Sequence, residues 1–412
     1  MRAEAATAAT TMSRLLRCLF LTLSTVTVLW VAACESIPLP HGRPVTRAMW
    51  VTRFDYKTAA DIEKIMQNCQ EAGCNTVMFQ VRGNATAFYR SSYEPWAEQF
   101  NFTDPGFDPL DVALTAAHAR DMKLQAWVNV VPAWWGTEPP RETRQVYNKK
   151  PEWAWYDKSG ARQPLADKFY VSLNPCLPEV REYLVKVMED LIGRYPIDGL
   201  HLDYIRFPNE PASGTVKPAD YPRDRQTVAL FQVETGKTPE ASPAEWDAWR
   251  TAQVTSLVRD IHRMVHEYKP YLEISVAVGA VPEEAKKTHF QDVRTWMKEG
   301  LVDSVYPMNY TRDSQVFDQR VALWKDIAGS TPVVMGVRID DNIEKDRAQL
   351  ETVLHTFRGY SIFAYSSLFD SPNTALEKQD DMTRERREMV RKALLPQLAN
   401  LSRPGAAAGT ED

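Results

Sequence analysis

The chain has 412 residues, a 44% hydrophobic share and a formal net charge of −5, with acidic and basic residues interspersed along its length. That balance excludes the basic footprint of a nucleic-acid binder. The length suits one large α/β domain behind a leader, and twelve tryptophans are a high number for it.

From Met12 the chain reads "MSRLLRCLFLTLSTVTVLWVAAC", with Arg14 and Arg17 ahead of an apolar run. This is the layout of a bacterial secretory signal. Its ending, "VAAC", resembles a lipobox, which makes Cys34 the expected site of lipidation. The apolar run falls short of the ~20 residues that span a bilayer, so a lipid anchor is favoured over a transmembrane helix. Residues 1–34 are thus expected to be a leader and 35–47 a Pro-containing linker. The domain is expected in the bacterial cell envelope, facing the periplasm or exterior. Cys69, Cys74 and Cys176 have no metal-ligand spacing and are expected as packed thiols. Neither a metal nor a cofactor is implied, and a monomer is expected.

Strand-like runs follow at 48–54, 76–83, 124–132, 199–207, 273–280, 304–310, 332–339 and 360–368, each succeeded by a helical pattern. Several of those helices open on Ser, Asp or Asn and close on Gly. Strand and helix alternating eight times predicts a (β/α)8 TIM barrel over residues 48–400, with 401–412 a small, polar tail expected to be disordered. A doubly wound sheet is the competing fold, but it would carry a Gly-rich phosphate turn after its first strand, and none is present. Two connections, 133–178 and 208–243, are long and lie at carboxyl ends of strands, where barrel enzymes build their sites.

Strand alternation sorts the side chains. Val77, Phe79 and Val81 suit the helix layer, and so do Ala126, Val128, Val130, Leu200 and Leu202. Gln80, Arg82, Gln125, Trp127, Asn129, His201 and Asp203 are left facing the interior. A barrel built only for stability fills its centre with branched apolar residues. An unpaired buried carboxylate would cost several kcal/mol, so Asp203 is expected at the floor of a wet cleft. A structural ion pair with Arg82 or Arg206 is the alternative. Asp198 reads as a turn residue and His201 as a hydrogen-bonded core histidine.

The segments "IDGLHLDYIRFP", "FQVRGNATAFYRSSYEPW", "LQAWVNVVP" and "VDSVYPMNY" together resemble the bacterial glycosyl-hydrolase-like family ten proteins, many of them exported lipoproteins. The resemblance runs from about Arg47 to the last barrel strand. It implies a TIM barrel acting on a glycan, with cell-wall glycan among the candidate substrates and Asp203 the leading catalytic residue. "DGLHLDYI" is also similar to the fourth-strand signature of chitinase-type glycosidases, but Ile205 stands where their catalytic glutamate would be.

Glycoside hydrolysis ordinarily needs two carboxyl groups. Asp203 suits the nucleophile or base, with Arg82 and Arg206 expected to favour its charged form. Candidates for its partner are Glu283, Glu284, Asp313, Asp340 and Asp370, with Glu283 and Asp313 leading. Sugar rings stack on aromatic faces, and Trp127, Trp134, Trp135, Trp153 and Trp155 lie on the third strand or its loop, some as cleft and some as loop core. Gln80, Asn129, Asn309 and Tyr310 could bind hydroxyls, while Arg82, Arg206 and Arg338 would suit a carboxylate-bearing sugar. The expectation is an exported, lipid-anchored glycoside hydrolase acting on a polysaccharide. The competing one is a glycan-binding envelope lipoprotein with a degenerate barrel.

Overall fold

The computed structural model describes residues 45–207, 221–357, 359–370 and 383–401. The expected leader, Cys34, most of the linker, part of the 208–243 connection and nearly all of the tail lie outside these residues.

Eight parallel strands form the sheet: β1 (Thr46–Val51), β2 (Thr76–Arg82), β3 (Lys123–Asn129), β6 (Gly199–Asp203), β7 (Glu273–Gly279), β8 (Ser304–Met308), β9 (Met335–Arg338) and β10 (Gly359–Phe363). They run in spatial order β8-β7-β6-β3-β2-β1-β10-β9. A parallel bridge between Val305 and Val333 joins the two ends, with Val305 N donating to Pro332 O and Val334 N to Val305 O. The sheet therefore closes into the expected barrel. Residues 133–178 are more structured than a loop: β4 (Pro132–Gly136) and β5 (Ala166–Ser172) pair as an antiparallel hairpin above the barrel.

The alternation of side chains builds two separate cores. Val77, Phe79, Ala126, Val128, Leu200, Leu202, Ile274 and Val276 pack outward under the helices. Ala48, Trp50, Met78, Trp127, Ala277, Tyr306, Val334 and Ala364 form a second cluster inside the barrel. Helix starts are fixed by side-chain caps that satisfy orphan N–H groups. Thr58 forms a capping box with Asp61 at the helix Ala59–Glu71, and Asp108 caps Pro109–His118 with proline at its first turn. Cys69, Cys74 and Cys176 are buried free thiols. Asp198 accepts from Leu124 N and contacts His118 Nε2, each at 2.8 Å, in keeping with a turn role.

One glycine governs how closely β9 approaches β8. A Cβ at Gly336 would lie 2.6 Å from Pro307 O and 2.9 Å from Tyr310 Cε1, so only hydrogen fits beneath the Tyr310 ring. Gly336→Ala is expected to destabilise the domain by about 1–3 kcal/mol through overpacking. Thermal denaturation measures this, and an unchanged midpoint would show that both the Pro307 carbonyl and the Tyr310 ring yield freely.

Candidate active site

At the carboxyl ends of the strands lies a cavity of ≈ 210 Å³, lined by Trp50, Thr52, Arg53, Phe54, Gln80, Trp127, Asn129, Tyr170, Asp203, Tyr204, Arg206, Met308, Tyr310 and Phe363. Its base is aromatic. The Trp50 ring meets Trp127 edge-on at 4.7 Å, His201 at 4.8 Å and Tyr306 at 6.3 Å, plugging the barrel beneath the polar layer.

Asp203 is the last residue of β6 and is 5% exposed. Its Oδ1 accepts from Tyr204 N at 2.6 Å and from Arg206 Nη1 at 2.8 Å. Oδ2 has no hydrogen-bond partner among the described residues. One oxygen is thus anchored and the other is available to a ligand. Tyr204 holds φ at +48°, a conformation that costs a non-glycine residue of order 1–3 kcal/mol. That turn aims the Tyr204 amide back at Asp203 and lets Arg206 fold across the Tyr204 ring, 4.3 Å from its centroid.

The walls supply neutral donors and apolar faces. Burial pushes the Tyr204 phenol up to about 12. Tyr310 is raised further, by burial first and by the charge of Asp203 second. Both phenols therefore stay protonated at neutral pH. Tyr310 stacks on Phe363 with centroids 4.9 Å apart. Trp127 Nε1 donates to Asn129 Oδ1 at 2.9 Å, and Asn129 Nδ2 to Gly83 O at 3.1 Å. Gln80 accepts from Arg53 N at 3.0 Å.

Gln80, Trp127, Asn129, Asp203, Arg206 and Tyr310 are thus brought together as the sequence suggests, while other candidates are placed elsewhere. Arg82 is turned out of the interior by a register shift between Gln80 and Arg82, so its backbone partner is Val128, a residue of the outer set. Its guanidinium is buried against Glu94 at 2.7 Å and donates to Val130 O at 2.9 Å, and Tyr183 also donates to Glu94. Asn309 ties its strand to the following helix, donating to Phe317 O at 3.2 Å. Trp134 stacks on Phe102 and donates to Glu138 O, whereas Trp135 stands edge-on behind the lining residue Phe54. Arg338 does not line the cavity.

The proposed partner acids are also outside. Glu283 is largely exposed and pairs with Arg294 at 2.7 Å. Asp313 caps the helix Ser314–Ile327 through Val316 N. Asp203 is the only carboxylate among the described lining residues. Trp155 and Trp153 are packed in the loop, Trp155 against Phe207 and Trp153 against Tyr183.

Several lining residues escape the sequence reading. Trp50 and Thr52 follow the same alternation as Ala48 along β1, a period of two that would have revealed them. Tyr170 is carried in by the hairpin, and Arg53, Phe54 and Phe363 by strand ends; only the fold brings these together. Among the described residues no group of three or more His, Cys, Asp or Glu is placed to hold a metal ion.

The closed eight-stranded parallel barrel is a TIM barrel, and solved structures share that fold. The glycoside hydrolase domain of PgaB (BpsB) from Bordetella bronchiseptica superposes with a TM-score of 0.57 at 14% identity, covering 85% of this chain and 99% of that one. The catalytic domain of beta-amylase from Paenibacillus polymyxa gives 0.58 at 9% identity, covering 84% and 98%. More particularly, residues 28–340 match the model of Glycosyl hydrolase-like 10, and the chain belongs to that family. Its relatives include glycosyl hydrolase DigH of Escherichia coli K12, 26% identical over 74% of this chain and 70% of that protein. Glycosyl hydrolase YngK of Bacillus subtilis 168 is 24% identical over 66% and 53%.

Two predictions follow from the buried polar groups around the cavity. Glu94→Gln leaves Arg82 buried without its counter-charge and is expected to cost about 3–5 kcal/mol in urea denaturation; a loss under 1 kcal/mol would contradict the pairing. His201 is fully buried and bonded to Ser275 Oγ at 2.7 Å, and burial lowers its pKa to about 3. The unfolded chain, near 6.5, binds the proton more readily between those values. Its contribution is therefore complete above pH 6.5 and is lost as pH falls toward 3. The pH dependence of stability should flatten in His201→Gln by several kcal/mol across that window, at about 1.4 kcal/mol per pKa unit.

Proposed function

We propose that this protein hydrolyses O-glycosidic bonds of a polysaccharide, with bacterial cell-wall glycan the leading substrate class. It works as an exported protein held to the membrane by a lipid on Cys34. The observation that carries the catalytic reading is Asp203, a carboxylate with one oxygen fixed by Tyr204 N and Arg206 and the other unpartnered at an aromatic-walled cavity.

Two donors on Oδ1 fix the carboxylate plane, so that Oδ2 can attack an anomeric carbon or take a proton from water. Aromatic faces at Trp127, Tyr310 and Phe363 would hold sugar rings by C–H contact, and the neutral phenols of Tyr204 and Tyr310 would donate to hydroxyl or acetamide oxygens. The proton for the leaving oxygen requires a second acid.

A glycan-binding protein is the second reading, favoured by the single carboxylate among the described lining residues. Asp203→Asn separates the two. In a hydrolase it should lower release of sugars from cell-wall and plant polysaccharides by at least about 10³-fold while leaving glycan affinity within a few fold, as expected for a group acting in the transition state. Released sugars are read by mass spectrometry. Equal product from parent and variant would remove Asp203 from the mechanism, and no product from either, with binding retained, would establish the binding reading.

A further inference from the structure

On the long helix Pro243–Tyr268 two histidines, His262 and His266, stand at positions i and i+4. That spacing puts both on one face, one turn of helix apart. Their ring centroids are 4.1 Å apart and the ring planes are tilted by 52°. His266 is exposed and His262 half-buried, so solvent reaches the pair. The pair sits where this helix ends and leads into β7, beside the turn that carries Leu301 and Asp303 into β8. It therefore belongs to the amino-terminal end of the barrel, opposite the cavity, and hydrolysis makes no use of it.

Any two residues at this spacing are neighbours, but three features suit these two to a cation. Nδ1 of His262 lies 3.2 Å from Leu301 O. A carbonyl oxygen only accepts, so Nδ1 carries the proton and Nε2 keeps its lone pair; a backbone carbonyl on the far nitrogen is how ligating histidines are ordinarily fixed. Burial first and the neighbouring His266 second lower the pKa of His262, which leaves its ring uncharged at neutral pH. The surroundings favour positive charge: Asp303 acts on His262, and His266 occupies the last turn, at the negative end of the helix dipole. The nearby guanidinium groups of Arg259 and Arg263 are paired with Glu299 and Asp260. An ion held at ~2.0–2.1 Å by two imidazole nitrogens keeps those nitrogens roughly 3 Å apart, a separation within reach of rings packed this closely.

We propose that His262 and His266 form a metal site for a divalent ion of the copper and zinc kind, with two imidazole nitrogens as protein ligands and water completing the coordination. Both ligands come from one helix, so the ion pins the end of that helix and takes no part in glycan chemistry. The site stands whether or not the protein is a hydrolase.

The test titrates Cu²⁺, Zn²⁺ and Mg²⁺ separately into the whole chain, purified without a histidine tag, and follows binding by calorimetry. Cu²⁺ should bind with a Kd of about 0.1 mM or tighter and Zn²⁺ more weakly, in the order expected of nitrogen ligands, while Mg²⁺, which prefers oxygen, should not bind. His266→Ala changes an exposed side chain. It should weaken Cu²⁺ binding at least about tenfold and leave the melting temperature of the metal-free protein unchanged. His262→Ala should weaken binding to the same degree. Electron paramagnetic resonance of the Cu²⁺ complex should show coupling to two imidazole nitrogens. A Kd weaker than about 0.1 mM for Cu²⁺, binding that His266→Ala leaves intact, or coupling to a single nitrogen would each overturn the proposal. If His262→Ala does not fold, His266→Ala and the resonance spectrum decide.

Discussion

The constraint on which the rest of the structure depends is the filling of the barrel centre. Eight parallel strands enclose a space that must be occupied, and here Trp50 occupies it, with Trp127, His201 and Tyr306 packed edge-on around its ring. Aromatic rings fill that volume in few pieces and favour edge-to-face contact. Because the plug is dry, His201 is held neutral within it and bonds to Ser275. Because the plug stops at the level of Trp127 and His201, the next inward positions, Asn129 and Asp203, meet the cavity instead of the core. The site is a consequence of where the packing ends.

Above that floor the electrostatics are ordered by distance from water. Arg82 and Glu94, wholly buried, neutralise each other and brace the segment after β2 against the helix that carries Tyr183. Arg206 and Asp203 meet at the cavity wall, where one carboxylate oxygen is satisfied and the other is kept for a ligand. Arg53 completes the series as a buried cation whose charge no acid in the described structure pairs. Stability and function thus draw on the same residue types, and what separates them is whether a partner is supplied from within.

Much of this was legible beforehand. The eight alternating strands, their separation into inner and outer faces and the place of Asp203 at the end of β6 follow from a period of two in the side chains. The family to which the chain belongs was legible separately, by the resemblance of segments that fall at strand ends. The reading of Arg82 failed for a definite reason: the register shift before it reverses the face on which its side chain emerges, and a one-residue irregularity in pairing leaves no trace in composition. Trp134, Trp153 and Trp155 look like a sugar-stacking platform in one dimension but are used to hold the hairpin and its loops together. Asp313 lies at the carboxyl end of its strand, as a catalytic acid would, but its oxygen caps the next helix.

The sequence by itself determined what local periodicity and short-range chemistry control: the alternation of elements, the helix caps, the inward placement of Asp203 and the polar character of the barrel's upper layer. These are properties of residues a few positions apart. Only the tertiary structure decided which of many polar side chains remain unspent. The partners of Arg82, Arg206 and Arg53 are Glu94, Asp203 and Tyr170. Apart from Asp203 and Arg206, those pairings join residues 12 to 117 positions apart. Ion pairing and desolvation act through space, so which guanidinium is left without an acid partner among the described residues emerges only once the barrel has closed and the hairpin has set Tyr170 beside Arg53.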